Sequence, residues 1–220
     1  MIKILSLFLG ALLVVAPGLR AEDSTDLFEN LVPVEDDNVG MAYIDPNADF
    51  TVFRRVKILE PFVAFRADWQ RDQNRSSRRI RVTASDMDRI KADVAALFKE
   101  VFTERLEADD GYEVVEETGD DVLLLRPAII DLDITAPDTR DPGRNRTFSA
   151  STGSATIYIE LYDSLSGAIL GRAADRRGNR RSGTPLTWST GVRNRTAARR
   201  MMATWADPRR AFLDSHYQRD

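Results

Sequence analysis

The chain has 220 residues, enough for one ordinary domain or two small ones, and its 43% apolar content is enough to bury a core. It has no cysteine and one histidine, His216, which excludes disulfides, thiol catalysis, zinc–thiolate and iron–sulfur sites and argues against a Ser-His-Asp triad. The formal net charge of −4 argues against non-specific nucleic-acid binding by the chain as a whole.

Residues 1–21 (MIKILSLFLGALLVVAPGLRA) open with Lys3, continue through an apolar run from Ile4 to Ala16 and end on Pro17, Gly18 and a small residue, Ala21. That is the plan of a secretory signal peptide cut before Glu22, and it predicts a periplasmic or secreted mature protein. The alternative is retention as an anchor, but the run is shorter than the roughly 20 residues a spanning helix needs. Nothing later in the chain is long and apolar enough to span a bilayer. No cysteine is available for acylation, so lipid anchoring through cysteine is excluded.

Residues 22–40 are acidic and poor in aromatics and read as a flexible lead-in to one domain over residues 41–217. Asp45-Pro46-Asn47 is a turn signal. Val52 to Phe65 is a first strand, with Pro61 marking an edge or kink. Residues 66–81 form a polar, Arg-rich connection. A helix follows, with Ser85 as N-cap and Ile90, Val94, Leu97, Phe98, Val101 and Phe102 as its apolar face, stopping near Ala108.

Tyr112–Glu116 is a short strand and Val122–Ile134 a long one. Strict alternation places Ala128, Ile130, Leu132 and Ile134 on one face and Ile129, Asp131 and Asp133 on the other. Residues 136–146 read as a loop. Phe148 to Asp163 is a strand with Ile157, Ile159 and Leu161 on one face and Tyr158, Glu160 and Tyr162 on the opposite one. A hairpin turn at 164–167 leads into a partner strand, Ala168–Ala174, and then a basic loop, Arg176–Pro185. A last helix covers about Thr196 to Trp205, with a restart at Pro208. This order predicts an α+β fold: a single antiparallel or mixed sheet of about five strands with helices packed on one face.

Three stretches resemble the bacterial envelope family catalogued as domain of unknown function 3313: AYIDPNADFTVFRRVKI (42–58), DVLLLRPAIIDLDI (121–134) and IELYDSLSGAILGRAADRR (159–177). The resemblance covers residues 40–215. It implies an exported protein of the Gram-negative envelope, often a lipoprotein in that family, with no assigned activity and no catalytic residues to transfer. The missing cysteine departs from the lipoprotein pattern, so a free periplasmic protein is expected.

Two constellations carry chemistry. Asp131 and Asp133 sit about 7 Å apart along one strand face. As paired carboxylates they could share acid–base work; as the solvent face of a half-buried strand they need no function. The acidic turns at 109–111 and 120–121 lack a calcium-loop pattern, and the hydroxyls Ser149, Ser151, Thr152 and Ser154 lack an activating base. The second constellation is charge. Residues 170–220 hold 12 Arg against four acidic residues, so −4 is the cancellation of +8 there against −12 elsewhere. Arg172, Arg176, Arg177, Arg180 and Arg181 are the candidate binding residues for an anionic partner, unless they pair with the chain's own acidic half.

The expectation is a non-enzymatic exported binding or assembly module. Its partner is another envelope protein or an anionic envelope component, with no metal, no cofactor and no nucleic acid. The alternative is a carboxylate-dependent periplasmic hydrolase, acting on a glycan or phosphoester through Asp131 and Asp133.

Overall fold

A computed structural model describes residues 30–35, 39–76, 81–134, 154–178 and 191–216, with side chains at 76, 178, 191–197 and 216 excepted. The expected signal peptide, the loop at 136–146, Ser149, Ser151, Thr152, Arg180 and Arg181 lie outside the described residues.

The elements in chain order are β1 (Val32–Val34), β2 (Met41–Ile44), β3 (Arg55–Ile58), β4 (Phe62–Phe65), α1 (Trp69–Ser76), α2 (Ala84–Glu107), β5 (Glu113–Val114), β6 (Val122–Asp133), β7 (Ser154–Asp163), β8 (Ile169–Gly178) and α3 (Gly191–His216). The fold is α+β, but among the described residues the sheet has eight strands rather than about five. The order is β1-β2-β8-β7-β6-β3-β5, with β4 also paired to β6. The run from β6 through β7, β8 and β2 to β1 is antiparallel, and β3, β4 and β5 join in parallel pairs, so the sheet is mixed.

The extra strands have identifiable causes. Part of the acidic lead-in, Val32–Val34, pairs with β2 as an edge strand, although its own side chains are exposed and give no burial signal. The stretch read as one strand, 52–65, is two. Pro61 donates no hydrogen bond, and β3 and β4 pair with successive parts of β6 on either side of it. Asp45-Pro46-Asn47 forms the expected turn, with Asp45 Oδ1 accepting the Asn47 amide at 2.9 Å.

The polar connection at 66–81 contains α1, whose one large apolar residue, Trp69, is buried, stacks on Phe65 at 4.0 Å and donates its indole N–H to the Ile134 carbonyl at 2.7 Å. The N-cap of α2 is Thr83 rather than Ser85. Thr83 Oγ accepts the Asp86 amide while Asp86 accepts the Thr83 amide, a reciprocal box, and Ser85 lies inside the helix. Helix α3 runs unbroken through Pro208 rather than restarting there.

Helices α1, α2 and α3 lie against one sheet face. Leu123, Leu125, Ile129, Ile157 and Ile159 from that face join Phe98, Val101, Phe102 and Trp205 from the helices in one buried core. The charge asymmetry is partly internal. Arg199 of α3 pairs with Glu100 and Glu104 of α2, and Arg105 pairs with Asp207 at 3.6 Å.

Candidate functional site on the polar face of the sheet

The sheet face away from the helices carries the second half of each strand's alternation. In register across four strands stand Arg126 of β6, Glu160 of β7, Arg172 of β8 and Tyr43 of β2. Tyr158 and Tyr162 flank Glu160 on the same strand face, because residues two apart in a strand point the same way.

Glu160 is only 8% exposed, unusual for a carboxylate on a face with no helix over it among the described residues. Its surroundings explain that. Tyr158 Oη donates to one carboxylate oxygen at 3.0 Å and Tyr162 Oη to the other at 2.8 Å, and Arg126 approaches at 3.4 Å. Arg172 lies with its guanidinium 4.9 Å over the Tyr43 ring, a cation–π contact. Burial pushes both phenols above their ordinary value of 10.0, and accepting Glu160 pushes the same way; Arg172 opposes the shift at Tyr158 and Arg126 opposes it at Tyr162. The phenols therefore stay protonated at neutral pH and keep donating. Glu160 thus accepts from both phenols and anchors the Arg126 guanidinium.

Four residues further along β8, on the same face as Arg172, Arg176 reaches Asp131 at 3.4 Å and Thr156 Oγ at 3.5 Å. The Arg126 and Arg176 side chains remain 64% and 61% exposed, so their guanidiniums are accessible to a ligand. The acidic strand and the arginine-rich segment thus meet on one face.

The other predicted residues fall as follows. Arg177 alternates away from Arg172 and Arg176 and pairs with the buried Asp175 at 2.6 Å. Arg172, Arg176 and Arg177 belong to strand β8, so the basic segment read as a loop from Arg176 begins as strand. Asp133 pairs with Arg66 at 2.9 Å while Asp131 pairs with Arg176, so each carboxylate has its own cation and the two do not converge on a shared cleft. No cluster of metal-ligating side chains occurs among the described residues.

Asp131 also corrects the expected alternation of β6. Ile130 pairs with Thr156 and Asp133 with Ser154, so one extra residue is inserted on β6; β4 meets the same insertion between Ile129 and Leu132. Asp131 takes φ +52°, the left-handed conformation of a bulge. Upstream of it Ile129 faces the helices. Downstream the phase shifts by one, and Leu132 and Ile134 are buried. Ile129 therefore does not share a face with the two aspartates. Glu160, Tyr158 and Tyr162 were not singled out as a site by sequence, although their common face was legible from alternation; their partners Arg126 and Arg172 come from other strands.

These features define an α+β module with helices on one face of a mixed sheet and a row of arginine, carboxylate and tyrosine on the other. The chain belongs to the family described as "Protein of unknown function (DUF3313)", whose family model matches residues 22–208. No match is found among curated proteins. Among solved structures it is similar to a PelC dodecamer subunit from Paraburkholderia phytofirmans, at 12% identity and TM-score 0.37, covering 82% of this chain and 100% of that one. It is also similar to a neuraminyllactose-binding hemagglutinin homolog from Helicobacter pylori, at 11% identity and TM-score 0.27, covering 74% of this chain and 82% of that one. A Xanthomonas campestris protein of the family DUF330 matches at 14% identity and TM-score 0.29, over 77% of this chain and 89% of that one. At these scores the likenesses carry no functional argument.

Proposed function

We propose that this chain is a non-enzymatic binding or assembly module of the Gram-negative envelope, exported by residues 1–21 and cut before Glu22. Its sheet face would hold an anionic envelope component or an acidic surface of another envelope protein. The observation that carries this reading is the cross-strand row in which a buried Glu160 pairs with Arg126, with Arg172 beside it on Tyr43, on a face with no helix over it among the described residues. Guanidiniums held in place lose little side-chain entropy when they fork onto a phosphate or carboxylate. Arg176 extends the row, and Arg180 and Arg181, which follow in sequence, belong to the same proposal; Arg177 faces the other way, onto Asp175.

The test compares wild type with Arg126→Ser/Arg172→Ser/Arg176→Ser in binding to envelope extract and to phosphatidylglycerol vesicles at rising salt. The proposal expects salt-sensitive capture by wild type and at least a tenfold loss in the triple variant, about 1.4 kcal/mol. Equal capture by both folded proteins overturns it. N-terminal sequencing of the protein from cells tests export: a mature start at Glu22 supports cleavage, and a start at Met1 overturns it.

A further inference from the structure

Next to the arginine row, two residues along the strands toward Arg176, the same sheet face carries a second row that is apolar. In register across five strands stand Phe62 of β4, Ala128 of β6, Tyr158 of β7, Ala174 of β8 and Met41 of β2. The adjacent Val63 and Ile129 are buried toward the helices, so alternation turns Phe62 and Ala128 to the opposite face. Four strand spacings make the row about 19 Å long. Phe62, at 63%, is the most exposed large apolar side chain among the described residues, and Met41 at the other end is 44% exposed. One exposed apolar side chain needs no explanation, but two that close the ends of a single row mark a surface made for contact.

Cations border this strip on both sides. Arg126 and Arg172 lie along one side, two residues from Ala128 and Ala174, and Arg176 lies along the other, two residues beyond Ala174. Arg126 meets Glu160 and Arg176 meets Asp131, each at 3.4 Å through one nitrogen, and a guanidinium has five N–H donors, so donors remain for a ligand. An apolar strip edged by guanidiniums fits a ligand that is flat and apolar on one side and anionic at its edges. A sugar ring carrying a carboxylate is such a ligand: its C–H face lies on an aromatic ring while the carboxylate takes an arginine fork. Its hydroxyls stay in water above the strip, whereas an acyl chain laid there keeps half its surface wet. The inner strands spend their backbone groups on the sheet, so an extended peptide finds none of the main-chain hydrogen bonds that strand addition relies on.

We propose that this strip binds a linear acidic glycan, its sugar rings laid across the strands from Phe62 toward Met41 and its carboxylates meeting Arg126 and Arg176. The assignment rests on the reading of the arginine row as an anion site and names the chemistry of the anion. Phe62 supplies the stacking surface and the arginines the charge, so the two contributions separate by mutation.

The experiment titrates the full-length protein at low salt with hexagalacturonate, neutral cellohexaose, poly-L-glutamate and phosphatidylglycerol vesicles. The expected result is saturable binding of hexagalacturonate, about tenfold or more tighter than cellohexaose, which lacks the charge, and poly-L-glutamate, which lacks the rings. Phe62→Ala weakens hexagalacturonate binding about tenfold and leaves poly-L-glutamate and vesicle binding unchanged, while Arg126→Ser/Arg176→Ser weakens all three anions. A melting curve accompanies each variant; if Phe62→Ala does not fold, Phe62→Leu, which keeps the bulk and removes the ring, takes its place. Poly-L-glutamate or vesicles held as tightly as hexagalacturonate, or undiminished hexagalacturonate binding by the folded Phe62 variant, overturns the glycan assignment and leaves the arginine row standing as an anion site. Absence of arginine-dependent binding to every anion overturns both.

Discussion

Asp131 holds a left-handed backbone that most side chains avoid, and it does so at a bulge that sets the phase of β6. Aspartate tolerates this conformation and adds an ion pair to Arg176; valine does neither. Asp131→Val is expected to cost about 1–2 kcal/mol in urea unfolding, while Asp131→Gly stays near wild type because relief of strain offsets the lost pair. Equal losses in both variants would show that the ion pair, not the backbone, matters. Glu160 makes a second residue-scale case. Glu160→Gln keeps the shape but removes the charge between Arg126 and the two phenols, and about 2 kcal/mol of destabilisation is expected.

The phenols give that prediction a pH dependence. Tyr158 and Tyr162 titrate above their ordinary value of 10.0 in the folded protein, so their contribution is fully present below pH 10 and is lost as pH rises through the folded values. Ultraviolet titration should show late-ionising tyrosines that disappear in Tyr158→Phe/Tyr162→Phe and move toward 10 in Glu160→Gln. Alternation alone put Tyr158, Glu160 and Tyr162 together from sequence. The bulge was not legible, because the residue that makes it is aspartate within a run of good strand formers rather than glycine.

At the scale of elements, the C-terminus of α2 is closed by a residue about a hundred positions away. Arg210 of α3 donates to the carbonyls of Leu106 at 2.9 Å and Ala108 at 2.8 Å, and its guanidinium lies 5.5 Å from the Tyr112 ring. Those carbonyls lack helical partners, and a cation there also opposes the negative end of the helix dipole. Gly111 sits against this junction, and a Cβ added there would overlap both the Leu106 carbonyl and the Arg210 guanidinium. Gly111→Ala is therefore expected to destabilise by about 2 kcal/mol, measured by thermal unfolding, with the loss shared by Arg210→Ala. A combined variant no worse than either single one would confirm the coupling. Sequence marked the turn at 109–111 but not its partner, since a helix end and a distant arginine share no local pattern.

At the scale of the molecule, charge among the described residues works partly as internal pairing. The basic α3 is held to the acidic α2, and at the start of β6 Arg55 grips Asp121 at 2.6 and 2.9 Å. The Arg55 hydrogen bonds hold the Asp121 carboxyl below its ordinary value, and Arg66 does the same for Asp72. A carboxyl lowered in the folded state contributes stability that is present at neutral pH and is lost as pH falls through the acid range. Asp121→Asn should therefore be less stable than wild type at neutral pH, and the gap should narrow as pH falls below the ordinary aspartate value of 3.8 in urea titrations. A gap that persists unchanged in acid would mean that packing rather than charge holds this corner.

By itself the sequence determined what local pattern can encode: the α+β class, the amphipathic α2, the hairpin between β7 and β8, and which residues of β7 share a face. Each follows from periodicity or turn chemistry within a few residues. The tertiary structure alone decided the eight-stranded sheet, the unbroken α3 and the separation of Asp131 from Asp133 onto different arginines. It also assembled the row from Arg126 to Tyr43 and the apolar row from Phe62 to Met41 beside it. These depend on strand pairing and helix packing between residues far apart in the chain, where burial and charge are settled by neighbours that no local window contains.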